Sequence, residues 1–152
     1  MERTDVSIRR AGVSDLEALL PLLTAYRVFY KQQPDAPKER EYLDSHLRND
    51  TSVIYLAEIA GMGVVGFTQL FKTFSTVHLA DAWILEDLFV APRYRGAGVA
   101  AALLQRAVEH AQETRACGMF LETAKDNATA QRVYERAGWA REARFFKYNA
   151  PL

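Results

Sequence analysis

The chain has 152 residues, is 49% apolar, and carries 19 basic and 19 acidic side chains that cancel. One domain, residues 1–152, around one core is therefore expected, with no overall field to draw it to nucleic acid or an anionic membrane. A single cysteine, Cys117, excludes an internal disulfide, a CxxC redox pair and a cysteine-rich zinc site, and suits a reducing cytoplasm.

The opening MERTDVSIRRAGVSD lacks the apolar core of a signal peptide, and no uninterrupted apolar stretch approaches the roughly 18 residues of a membrane span. A soluble, unexported chain is the expectation. Val6 to Arg10 alternates apolar and polar residues as a short strand does. Ser14 followed by Glu17 resembles a capping box, and Leu16, Leu19, Leu20, Leu23 and Tyr26 keep helical spacing behind it. Pro21 predicts a kink or an early break in that helix. QQPDAPKER is polar and holds two prolines, so it reads as a loop before a second helix over about 38–49. From Ser52 onward SVIYLAEIA, VVGFTQLFKTF and DAWILEDLFV read as three strands of a meander. A long helix follows over about 98–115, then a strand at MFLETA. A last helix over about 127–137 places Ala130, Val133, Tyr134 and Ala137 on one face, with Gly138 at its C′ position. REARFFKY is expected to close the chain as a strand.

The stretch RYRGAGVAAALL, residues 93–104, sits where an apolar strand meets a helix. Unpaired amides and the dipole at such a helix start favour an anion, and glycine at 96 and 98 lets the backbone come close to one. A Walker loop is excluded because GxxxxGK[ST] is absent, and GxGxxG is excluded because the third glycine is missing. The alternative is a strand-to-helix turn with solvated arginines.

Arg95-Gly-Ala-Gly98-Val-Ala100 matches the R/Q-x-x-G-x-G/A signature of the GCN5-related N-acetyltransferases, the GNAT superfamily. Downstream, Asn127, Ala130, Tyr134, Gly138 and Trp139 are similar to that superfamily's N-x-x-A-x-x-x-Y-x-x-x-G-F/W segment. The resemblance covers essentially the whole chain. It implies a mixed α/β fold: a central twisted sheet, flanked by about four helices, in which two parallel strands splay apart. By the same resemblance acetyl-CoA is the cosubstrate and no metal is needed. Its pyrophosphate would meet the amides of Arg95, Gly96, Ala97, Gly98, Val99 and Ala100. Its pantetheine arm and acetyl group would meet the backbone of Leu88, Phe89 and Val90, and Asn127 would bond near the far end of the arm. An exposed strand edge suits such an arm, because its amides can bond as another strand would.

Acetyl transfer needs a neutral amine, a polarised thioester carbonyl and a proton for the departing thiolate. Tyr134 is the family-matched general acid; on periodicity alone it is equally a core aromatic of an amphipathic helix. Glu86 and Asp87 interrupt an apolar strand, and burying ionised carboxylates is costly unless they are paired, bonded or hydrated. A regular strand points the two to opposite faces. LEDLFV looks like the spermidine/spermine acetyltransferase branch of the superfamily, which implies Glu86 as a base acting through water. A hydrated pair or a structural bond to a loop is the other reading.

Tyr26, Phe29 and Tyr30 either wall the acceptor pocket, with Asp87, or serve the core. His46, His78 and His110 lack metal-ligand spacing and read as surface or satisfied polar residues. Cys117 reads as a small packed residue rather than a nucleophile. The chain is therefore expected to acetylate a small-molecule amine directly from acetyl-CoA, with polyamines or lysine-like compounds favoured by the carboxylates and a peptide amine as a further acceptor class. The alternative is a non-catalytic sensor or adaptor that binds coenzyme A. A cytoplasmic homodimer is expected, by analogy with relatives that pair through the C-terminal strand.

Overall fold

Four runs of β-branched and aromatic residues pair side by side and set the frame of the molecule. A computed structural model describes residues 5–152, which form two compact units, one ending at Glu122 and one made of Thr123–Leu152. The first unit is a five-stranded sheet in the order β1 (Val6–Arg10), β2 (Val53–Ile59), β3 (Gly63–Ser75), β4 (Ala80–Val90) and β5 (Met119–Phe120). The expected meander is present: β1 to β4 pair antiparallel, and β5 lies parallel to β4.

The register explains which residues make the core. Leu56 stands opposite Phe67, and Phe67 opposite Phe89, so these side chains share one face of the sheet. Leu19, Leu22 and Leu23 of α1 (Leu16–Phe29) and Leu43 of α2 (Ala36–Asn49) pack onto that face with Ile54. Each such leucine stabilises the fold by about 1.5–3 kcal/mol relative to an exposed one. α3 (Val99–Glu113) buries Val99, Leu103, Leu104 and Ala107 and lies against β2, β3 and β4.

Local details depart from expectation at the first helix. Ser14 and Glu17 form no capping box. Asp15 takes the N-cap place, and its carboxylate accepts from the Gly12 amide at 2.8 Å and from both guanidinium ends of Arg9 at 2.7 and 3.0 Å. The carboxylate is thus spent on Arg9 and on the turn before the helix, and it makes no cap bond to α1. Nor does Pro21 end the helix, which runs on to Phe29. Its cost is offset by the leucines buried on either side of it. α2 is tied to α1 by buried Glu39, which accepts from Thr24 at 2.7 Å and Arg27 at 2.6 Å.

Two strand expectations fail. Only Met119 and Phe120 of MFLETA pair with β4, opposite Trp83 and Ile84. REARFFKY forms no strand, and Phe145, Phe146 and Tyr148 are exposed. Aromatic residues favour a strand, but a strand also needs a neighbour for its N–H and C=O groups, and this segment has no ladder partner among the described residues. The second unit is built on α4 (Ala128–Arg136). Asn127 caps it by accepting the Ala130 amide at 3.1 Å, and Gly138 ends it at φ +90°. Among the described residues no helix is long and apolar enough to cross a membrane.

Candidate functional site

At the end of β4 the chain turns through Pro92–Tyr94 and enters α3 at Gly98. Gly96 and Gly98 adopt φ +84° and +82°, a region that side chains with a Cβ disfavour. The amides of Gly96, Ala97 and Gly98 donate to no backbone carbonyl among the described residues, and those of Val99 and Ala100 open a 15-residue helix. These five amides therefore have hydrogen-bonding capacity at the positive end of a helix dipole, the arrangement that receives an anion. The Arg95 side chain serves the loop itself. Its Nε donates to the Val90 carbonyl at 2.9 Å, and its guanidinium lies 5.4 Å from the Phe89 ring centre.

Beside this loop, β4 has one occupied and one open edge. β3 pairs with it up to Val90, whereas β5 stops at Phe120, opposite Ile84. From Leu85 to Val90 the second edge has no strand partner among the described residues. Leu88, Phe89 and Val90, the expected contacts of the pantetheine arm, lie on this stretch.

The acidic pair is shaped by a β-bulge. Gln69 pairs with Asp87, but the next residue, Leu70, pairs with Leu85, leaving Glu86 as the extra residue of β4. The bulge breaks the alternation that would put Leu85 and Asp87 on the same face. Asp87 joins the face of Phe67 and Phe89, toward α1 and α2, while Leu85 joins the opposite one with Leu70. Glu86 is exposed; Asp87 is half-buried.

Asp87 is surrounded by polar and aromatic groups. Gln69 Nε2 donates to its Oδ2 at 2.7 Å, and the buried Ser52 hydroxyl donates to Gln69 Oε1 at 2.8 Å. Burial raises the Asp87 pKa above the usual carboxylate range, opposed by the bonds from Gln69 and Tyr26 and by the His46 charge. Tyr26 is raised in turn, first by burial and then by the Asp87 charge. Tyr42 shifts up for the same two reasons, with Glu86 contributing. His46 is lowered by burial, against the pull of Asp87.

Of the predicted pocket aromatics, Tyr26 packs edge-on against Phe67, Phe89 and Tyr30, at 6.0, 5.8 and 5.0 Å between centres. It joins the core face while meeting Asp87. Phe29 and Tyr30, for which a core role was the alternative, are about half exposed. Cys117 is exposed rather than packed. His110 is buried, with one ring nitrogen on the Tyr55 hydroxyl at 2.8 Å. Sequence reasoning missed Gln69, Ser52, Tyr42 and His46 around Asp87. Gln69 lies on β3 and Ser52 just before β2, and the register that brings them together is not fixed by the sequence, whereas Tyr42 and His46, four residues apart on α2, carry a helical signal.

In the second unit, Asn127 spends its side-chain oxygen on the helix cap and keeps its amide hydrogens. Tyr134 is half-buried, 6.3 Å from the Trp139 ring, and its carbonyl accepts the Trp139 amide at 3.1 Å.

Residues 16–139 match the model of the acetyltransferase (GNAT) family. The chain belongs to this GNAT family. It is 38% identical over 143 residues to the uncharacterized N-acetyltransferase YhfO of Bacillus subtilis (strain 168), covering 94% of this chain and 95% of that one. The crystal structure of a probable acetyltransferase superposes with a TM-score of 0.91 at 39% identity, covering 96% and 97% of the two chains. A predicted acetyltransferase from Clostridium acetobutylicum, crystallised with acetyl-CoA, shares the fold at a TM-score of 0.76 and 18% identity, covering 95% and 96%. The GNAT fold expected from the two motifs is thus the observed one, and the chain is an acetyl-CoA-dependent acyltransferase of the GNAT family.

Proposed function

We propose that this GNAT enzyme transfers the acetyl group of acetyl-CoA directly to a primary amine of a small cationic acceptor. The observation that carries this reading is Asp87, a half-buried carboxylate turned by the β4 bulge toward Tyr26, Tyr42 and His46, on the strand whose free edge ends at the glycine loop. A carboxylate among aromatic rings attracts a cationic nitrogen by charge and by ring faces alike. The similarity of LEDLFV to the spermidine/spermine acetyltransferase branch supports the same acceptor class.

In this reading the pyrophosphate is received by the amides of residues 96–100, while Arg95, whose own amide donates to the Pro92 carbonyl at 3.3 Å, braces the loop, and the pantetheine arm is received by the free edge at Leu88, Phe89 and Val90. Asn127 donates to the arm through its remaining amide hydrogens. Asp87, with Tyr26 and Tyr30, holds the acceptor. Glu86, exposed on the bulge, removes the ammonium proton through water. The free amine attacks the thioester carbonyl, the new C–N bond replaces the C–S bond, Tyr134 gives its phenolic proton to the departing thiolate, and the proton that the acylated nitrogen sheds passes through water to the Tyr134 phenolate. Holding amine and thioester in line contributes more to the rate than either proton transfer does. We place the enzyme in the cytoplasm as a homodimer, in keeping with its single cysteine and its exposed aromatic C-terminal segment. Light scattering giving one chain mass at micromolar concentration overturns the dimer.

The test of function is thiol release from acetyl-CoA in the presence of polyamines, amino acids and peptides. Turnover is expected with amines that carry a second positive charge. Tight coenzyme A binding without turnover of any member would identify a sensor or adaptor instead.

A further inference from the structure

Ser52, Gln69 and Asp87 form a line of side chains that runs from the buried start of β2, across β3, to the β4 bulge. Gln69 is 2% exposed and Ser52 7%. A buried glutamine is costly unless both ends of its amide are bonded, and here both are. The ionised Asp87 carboxylate can only accept, so it draws the N–H groups of Gln69 toward it, and the Ser52 hydroxyl supplies a hydrogen to Oε1 at the other end of the amide. A flipped amide would set Oε1 against the carboxylate and be tolerated only if Asp87 were protonated. The line therefore favours the ionised state of Asp87, whose bond to the Gln69 amide is charge-assisted, at the acceptor side of the sheet.

We infer that Gln69, supported by Ser52, is a positioning residue that favours the anion of Asp87 and orients its carboxylate for the cationic nitrogen of the acceptor. The inference rests on the reading that Asp87 receives the acceptor. The other groups facing Asp87 are Tyr26 of α1, with Tyr30 beside it, and Tyr42 and His46 of α2, while Glu86 adjoins it on β4. Among them only Tyr26 also bonds the carboxylate, and it acts less strongly than Gln69; Tyr42 is neutral near pH 7, His46 is held toward its neutral form by burial, and Glu86 is a like charge. Burial works against the anion, and the Gln69 bond is the largest influence opposing it.

The experiment is a carbon-13 NMR titration of the Asp87 carboxyl in the whole protein, for wild type and the variants Gln69→Met, Ser52→Ala and Ser52→Thr. Losing a hydrogen bond to a buried carboxylate should raise the midpoint by about one pH unit in Gln69→Met and by about half a unit in Ser52→Ala. Ser52→Thr keeps the hydroxyl and should stay within about 0.3 unit of wild type. An unmoved midpoint in either of the first two overturns the inference, and Ser52→Ala, the gentler change, decides it if Gln69→Met does not fold. A second arm follows the same carboxyl resonance while spermidine is added at pH 7. Wild type should show a saturable shift, and when the titration is repeated about a unit below the wild-type midpoint Gln69→Met should need about tenfold more spermidine, the ratio of ionised carboxylate left there by a midpoint about one pH unit higher. No shift in wild type with up to millimolar spermidine, even where the first arm succeeds, overturns the acceptor reading itself.

Discussion

A methyl group on Gly66 would stand 2.8 Å from the carbonyl oxygen of Phe89. Gly66 lies in the middle of β3, between Ala57 of β2 and Val90 of β4, with the Val90 and Leu103 side chains at 3.3 and 3.4 Å from the same point. The obstruction is backbone, so it cannot rotate away. Gly66→Ala should cost about 1–3 kcal/mol, the range for overpacking a core, measured as the change in urea midpoint. It should also weaken coenzyme A binding, since Phe89 lies on the stretch of β4 with the free edge. Full stability would mean that β3 and β4 separate without penalty.

Gly98 differs, because a Cβ there meets nothing within 4 Å and only its φ of +82° and its neighbourhood constrain it. Gly98→Asp sets a carboxylate where an anion is proposed to bind. Affinity for coenzyme A in titration calorimetry should fall about tenfold or more. Unchanged affinity in a folded variant would mean that the phosphates lie elsewhere.

Tyr134→Phe keeps the ring beside Trp139 and removes the proton. Turnover should fall by roughly 10²–10⁴, the span for one acid–base group, with cofactor affinity nearly constant. Glu86→Gln should instead recover part of its activity as pH rises and free amine becomes abundant. A Tyr134→Phe enzyme within about threefold of wild type at every pH would remove the phenol from the mechanism, because a thiolate can leave unassisted.

His110 carries a pH dependence of stability. It is buried between Tyr55 and Trp83, its Nδ1 bonds the Tyr55 hydroxyl, and its Nε2 has no partner among the described residues. Burial first, and then the charges of Arg10 and Arg106, lower its pKa. The unfolded chain therefore takes up this proton at a higher pH than the folded one does. Its contribution is complete above the unfolded value, about pH 6.5, and declines as pH falls through the window down to the depressed folded value. Urea unfolding should show a fall between pH 7.5 and 5.5 that His110→Gln flattens. The two buried carboxylates with lowered pKa, Asp15 (chiefly through Arg9) and Glu39 (despite its burial), act in a separate window below about pH 4.5. An unchanged slope in the His110 variant would place its origin in another group.

The sequence by itself determined the parts whose signals are local. Gly96, Gly98 and Gly138 demand left-handed backbone that few other residues accept, Asn127 stands three residues before an amide it can cap, and leucines at helical spacing mark α1 whatever surrounds it. These features depend on neighbours within a turn or two, so spacing is enough to read them. The two carboxylates were legible as unusual, but their directions were not. Alternation assigns opposite faces to Glu86 and Asp87, and both outcomes of that rule look alike on paper. The register of β3 against β4 puts a bulge at Glu86, turns Asp87 to the helix face and brings Gln69 and Ser52 into line behind it. For the same reason REARFFKY reads as a strand and is not one: pairing is a property of two segments, and the aromatic content of one of them says nothing of the partner. Register, burial and charge state are set by residues far apart in the chain, and only the packed structure brings them together.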